Sequence, residues 1–228
     1  MTFNNQLFRC STLGKIMTND KSGKKMGETS KSYLKELFRE VRWGVRKDFT
    51  NKYVEKGLAV EDTAIQFYSN VKGGFYSKNE EFYSNDFISG SPDIVSDKII
   101  DIKSSWNAHT FPFKDDALNK DYFAQVQGYM WLTGLKEAIV AFVLIDTPVQ
   151  LIEDEKRRIS WKMGMVSDLN PEYLKACEEI EQNHIFTHIP ESERVVEYEV
   201  CYDEDFIERL KSRILECRTY LNTLCGII

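Results

Sequence analysis

Residues 89–106 read "SGSPDIVSDKIIDIKSSW", two short β-branched runs joined by a polar turn near Ser96-Asp97. A strand beside a core has little use for aspartate or lysine unless they do chemistry. Yet Asp93 follows Pro92 in the first run, and Asp101 and Lys103 sit in the second. Alternation with a period of two puts Asp101 and Lys103 on one face of their strand. Two carboxylates from neighbouring strands are the hard oxygen ligands that Mg²⁺ or Mn²⁺ takes, and an adjacent ammonium can orient a water or steady charge on a phosphoryl group.

The flanks give this pair of strands a frame. Upstream, Lys31 to Phe67 follows a helical pattern, with Leu34, Leu37, Phe38 and Val41 at three- and four-residue spacing. Gly73-Gly74 breaks it, and Phe75 to Trp106 reads as a three-stranded meander with turns near Ser84-Asn85 and Ser96-Asp97. Downstream, a helix is expected from Asn119 to about Thr133, stopped by Gly134. "EAIVAFVLIDT" (137–147) predicts a central strand, Pro148 the opening of a helix, and Asn170-Pro171 the start of another. "RVVEYEVCY" (194–202) is strand-like, and a closing helix turns Phe206, Leu210, Ile214 and Leu221 to one side. With no repeat and no evident linker, one α/β domain over 1–228 is the expectation.

Composition excludes some function classes and leaves others open. The longest apolar run, "AIVAFVLI" (138–145), is too short to cross a bilayer, and the opening residues carry no basic-then-apolar secretory pattern. Five cysteines without a C-x-x-C pair point to reduced thiols in a cytoplasm. The net charge is −6, but residues 1–60 hold 13 Lys+Arg against 6 Asp+Glu. An acidic chain can therefore carry a basic face for phosphates, although a solvated helix surface has the same signature.

The Pro92-Asp93 and Asp101-Ile102-Lys103 segments resemble the PD-(D/E)XK nuclease superfamily, and two further pieces fall in its order. "GLAVEDTA" offers Glu61 on a helix, with Asp62 as a competing carboxylate. "AQVQGYMW" supplies Gln125 and Tyr129 at i, i+4 spacing on the following helix, with Gln127 as the competing glutamine. D-x-K alone is common by chance, whereas four ordered pieces are specific. Within the superfamily the chain resembles the lambda exonuclease and YqaJ-like viral recombinase family over about residues 8–147, and "FRCSTLGKIM" resembles that family's opening segment. Residues 148–228 read as a divergent C-terminal elaboration.

That resemblance implies a restriction-endonuclease-like core, α-β-β-β-α-β, with a mixed sheet flanked by helices. It implies a metal-dependent DNA exonuclease acting from a 5′ end in phage-type recombination. Asp93, Asp101, the Ile102 carbonyl and Glu61 would hold Mg²⁺ or Mn²⁺. Lys103 and Gln125 would be catalytic, and Arg9, Ser11 and Tyr129 would bind DNA. The expected partners are double-stranded DNA ends, a single-strand annealing protein and further copies of the chain in a closed trimer, in the cytoplasm of a bacterium or phage-infected host. A structure-selective or nonspecific endonuclease on the same core is the enzymatic alternative. A catalytically silent DNA-binding module is the other, though intact Asp93, Asp101 and Lys103 speak against decay.

Other features have plainer readings. Ser11 can cap a helix starting at Thr12, and Tyr129 and Trp131 can be core aromatics. His184 and His188, flanked by Cys177 and Cys201, raise a zinc site, but the spacing fits no standard finger and "HIFTHIP" reads as a strand edge. An iron–sulfur cluster would want four cysteines with a close pair, which the chain lacks. Phe111 and Phe113, after the lysine strand, offer rings to stack on or wedge between bases, or to pack beneath their own loop.

Overall fold

The structure is a computed structural model that describes residues 2–45, 51–164 and 170–226. The chain runs β1 (Phe8–Arg9), a 3-10 turn (Cys10–Thr12), α1 (Leu13–Ile16), α2 (Glu28–Trp43), α3 (Lys52–Lys72), β2 (Tyr83–Ser84), β3 (Ile88–Gly90), β4 (Ile94–Val95) and β5 (Ile99–Ser104). A second 3-10 turn (Ala108–Thr110) precedes α4 (Lys120–Thr133), β6 (Glu137–Val143), α5 (Val149–Lys162) and α6 (Pro171–His184). A third (Glu191–Glu193) leads to β7 (Val195–Cys201) and α7 (Glu204–Leu224).

Strand periodicity explains the layering. The main sheet has the order β4-β5-β6-β7, and within it the β5–β6 pair is parallel. A parallel pair needs a crossover, and α4 supplies it. Along β6, Ala138 and Val140 face a core shared with α1, α2, α4 and α7, while Ala141 and Val143 face a second core built on α3. Ile99 and Ile100 of β5 divide between the two cores in the same way. The alternation therefore turns Asp101 and Lys103 toward α4.

Two expectations are corrected here. The helical pattern over 31–67 is two helices, because Gly44 adopts φ +68° and closes α2. Asn51 then caps α3, its side chain accepting from the Tyr53 and Val54 amides, and residues 46–50 lie outside the described residues. The meander over 75–106 is four short strands in two sheets. Pro92 has no amide to continue a ladder, and Asn79 captures the chain there. Its amide donates to the Asp93 carbonyl at 2.7 Å and its side chain to the Pro92 carbonyl at 3.0 Å. β2 and β3 instead join β1 in the order β1-β3-β2, with β1 parallel to β3.

The last helix closes the fold. Leu210, Ile214 and Leu221 are buried, the Arg218 guanidinium donates to the Gln6 carbonyl at 3.0 and 3.1 Å and also to the Asp86 carbonyl, and the Phe3 amide donates to Asn222 Oδ1 at 2.8 Å. The segment that leads into β1 is thus tied down by residues more than two hundred positions later. Among the described residues no helix is long and apolar enough to cross a membrane.

Candidate active site

The α4 face of β5 meets α4 in a polar cluster under a cleft of about 870 Å³. Lys103 Nζ lies 2.7 Å from Asp101 Oδ2 and donates to Gln125 Oε1 at 3.3 Å. Gln125 Nε2 bridges back to Asp101 Oδ1 at 3.3 Å and to the Tyr129 hydroxyl at 2.9 Å. The Tyr122 ring covers the ammonium at 5.0 Å from its centroid, a cation–π contact at a partly desolvated charge. Asp93 comes in from the bend just before β4, and its Oδ2 accepts from the Ile102 amide at 2.7 Å. Pro92 starts this geometry by ending one ladder just before the carboxylate is needed.

Electrostatics separate the members of the cluster. Burial, reinforced by the Asp101 charge, pushes Asp93 up to about 7 against the pull of Lys103. Burial opposes the Lys103 ammonium, but Asp101 and Asp93 outweigh it and raise its proton affinity. Asp101 is 1% exposed, and its Oδ2 is met by the Lys103 ammonium while its Oδ1 accepts from Gln125. One buried and one half-buried carboxylate with an ammonium beside them have the donor chemistry of a hard divalent cation. The residues present fit that group.

Each expected site residue can be placed. Asp93, Asp101, Ile102, Lys103 and Gln125 line one cleft, and Arg9, Ser11 and Glu61 line it too. Glu61 rather than Asp62 faces the cleft, yet Lys78 holds it at 3.2 Å, and among the described residues no three acidic, histidine or cysteine side chains cluster as metal ligands. Glu61 thus stands on the same cleft as the aspartates, with its carboxylate paired to Lys78. Tyr129 is corrected. At 5% exposure, packed against Gly90 and Cys10, it supports Gln125 from below instead of presenting itself to DNA. Gln127 is a clamp, donating to the Cys201 carbonyl at 2.7 Å and accepting from the Asp203 amide at 2.9 Å. No side chain caps α1, so Ser11 keeps its place on the cleft without a capping bond.

The aromatic lining is Tyr53, Trp106, Tyr122 and Phe142, not Phe111 and Phe113; Phe113 is 75% exposed outside the cleft. His184 ends α6 and is no strand edge. Its Nδ1 lies 3.0 Å from Thr147 Oγ1, while His188 is exposed. The sequence reading missed Lys56, which is 0% exposed on α3 with Nζ donating to the carbonyls of Ser105 (2.7 Å), Trp106 (3.2 Å) and Ile145 (2.8 Å). A signal existed: Lys56, Val60, Ala64 and Tyr68 form one stripe at four-residue spacing, and all are buried.

Comparison with known proteins places this geometry. The crystal structure of a phage-related exonuclease from Haemophilus somnus 129PT superposes with a TM-score of 0.79 at 28% identity, over 97% of this chain and 96% of that one. An alkaline exonuclease from Laribacter hongkongensis matches with a TM-score of 0.64 at 15% identity, over 98% and 92%. Its complex with dAMP matches at 0.63. No curated protein matches the chain. The fold is α/β of the restriction-endonuclease-like type. The model of the YqaJ-like viral recombinase domain covers residues 10–136, from the turn after β1 through α4 and so across Glu61, Asp93, Asp101, Lys103 and Gln125, and by that match the chain belongs to the YqaJ-like viral recombinase family.

Proposed function

We propose that this protein is a divalent-metal-dependent deoxyribonuclease that degrades one strand of duplex DNA from a 5′ end in phage-type recombination. The observation that carries the reading is the Asp101–Lys103–Gln125 triangle beside Asp93, buried at the floor of an open cleft. Asp93, Asp101 and the Ile102 carbonyl, with Glu61 on the same cleft, would hold Mg²⁺ or Mn²⁺. Such an ion supplies Lewis acidity toward the phosphate and lowers the pKa of water. Lys103, fixed by Asp101, Gln125 and the Tyr122 face, orients the attacking water and offers positive charge to the phosphoryl oxygens. Gln125 holds the ammonium and the carboxylate in register, and Tyr129 holds Gln125. Arg9 and Ser11, at the cleft wall, would take phosphate oxygens near the 5′ end, the guanidinium in a charge-assisted fork.

Membership of the recombinase family and the likeness to two exonucleases support this reading. The expected partners are DNA ends, a single-strand annealing protein and further copies of the chain in a closed ring, in the cytoplasm of a bacterium or phage-infected host, with 1–228 working as one domain. Linear duplex labelled separately at each 5′ and 3′ end tests the activity. Mononucleotide release from the 5′ label first, only with divalent metal, is the expected result. Nicking of covalently closed plasmid would replace it with an endonuclease, and metal-independent binding without hydrolysis would replace it with a silent module.

A further inference from the structure

Apart from Tyr122 and Phe142, which wall in Lys103, the cleft contains an aromatic pair with no part in the hydrolysis described above. Tyr53 begins α3 and is 53% exposed, while Trp106 behind it is 4% exposed. Their rings meet edge to face, 6.0 Å apart at 68°. Trp106 is held from every side the fold offers. Lys56 and Thr147 donate to its carbonyl at 3.2 and 3.4 Å, and the His184 ring packs on the indole at 4.7 Å and 73°. The Lys52 ammonium sits 4.8 Å from the Trp106 centroid and 5.7 Å from that of Tyr53, with Glu155 at 3.7 Å as its counter-charge.

We propose that Tyr53, propped on Trp106, is a stacking platform for one unpaired nucleobase of the strand that enters the cleft, with Lys52 beside it for that nucleotide's phosphate. The proposal rests on the nuclease reading above. A half-exposed ring is a liability in water and an asset where a flat π-surface arrives to cover it. Immobilising the partner indole in advance removes the ordering cost that a flexible ring would add on binding. Every base has a π-face, so the platform serves an enzyme that must accept any sequence, and the neighbouring cation strengthens both the stack and the backbone contact. Its place is bounded by the chain itself: Trp106 is five residues beyond Asp101, which an extended chain spans in at most about 18 Å. The stacked base therefore lies within a few nucleotides of the scissile phosphate.

The test is a cycle between protein ring and DNA base. Duplex with a short 5′ tail is titrated in Ca²⁺ against wild type, Tyr53→Phe and Tyr53→Ala, with an abasic site walked through the terminal nucleotides. Wild type and Tyr53→Phe should lose affinity about tenfold at one position, the scale of one base–aromatic stack. Tyr53→Ala should bind intact DNA about tenfold more weakly and show no further loss at that position. A ring that merely shields Trp106 would leave the abasic profile unchanged between wild type and Tyr53→Ala, and that outcome overturns the platform. Hydrolysis of linear duplex by wild type in Mg²⁺ is measured alongside. Hydrolysis with an unchanged abasic profile sinks only the platform, whereas neither hydrolysis nor binding by wild type sinks the nuclease reading as well.

Discussion

Lys103 illustrates how one ammonium is given a task by its neighbours. Asp101 supplies charge, Gln125 direction and Tyr122 a lid that keeps bulk water off one side. Lys103→Ala should lower kcat by about 10²–10⁴-fold, leave metal affinity nearly unchanged because an ammonium is not a ligand, and recover in part as rising pH supplies hydroxide. Single-turnover rates with a parallel metal titration check this. Lys56 is the opposite case, a cation with no access to substrate. Burial pulls its ammonium down to about 8 against the pull of Asp146, while three carbonyls accept its protons. Lys56→Met strands those carbonyls and should cost about 3 kcal/mol in urea unfolding near neutral pH. The sign of the pH effect follows from the lowered folded value. Between about 8 and the ordinary 10.5 the unfolded chain binds more protons, so this group's contribution to stability rises with pH. The penalty for burying the charge is fully present below pH 8. The gap between wild type and Lys56→Met should therefore widen across pH 8–10, and a constant gap would show that the two states hold that proton alike.

Among the elements, α4 does most of the positioning and was also the hardest to read. Its ends were plain: Asn119 accepts from the Asp121 amide, and Gly134 stops the helix at φ +80°. Its faces were not, because Ala124 through Met130 are all buried, so no solvent face existed to tell Gln125 from Gln127 by periodicity. Strand β5 was legible for the converse reason, since from Ile100 to Lys103 its apolar and charged residues alternate between α3 and α4. β1 left no trace, since two residues cannot display a period. The register of α4 depends on α1 lying close beneath it. A Cβ on Gly14 would sit 2.6 Å from the Asp121 Cα, a main-chain atom that no rotamer change can move. Gly14→Ala should cost about 1–3 kcal/mol. Gly57→Ala on α3 meets open space and should instead stabilise by up to ~1 kcal/mol, helix interiors favouring alanine. Thermal unfolding of the two variants side by side compares them.

At the level of assembly, a chain of net charge −6 makes a poor clamp on DNA by itself, and its excess of basic over acidic residues lies in the first sixty. Cyclic closure would surround one duplex with several copies of that modest patch. Light scattering at micromolar concentration should give a trimeric mass, and processive product ladders should shorten as salt rises. A monomeric mass with release after every few nucleotides would remove the ring. How the chain is tied together bears also on when it becomes competent. Arg9 ends a strand whose approach is held by Arg218 and Asn222 of α7, and Ser11 stands in the turn after it. Synthesis delivers that strand well before its fastenings on α7, which follow more than two hundred residues later. Until then one wall of the cleft is held by its pairing with β3 without those fastenings, so a half-made copy beside DNA would lack its complete end-gripping surface, and the order of translation would itself act as a safety catch.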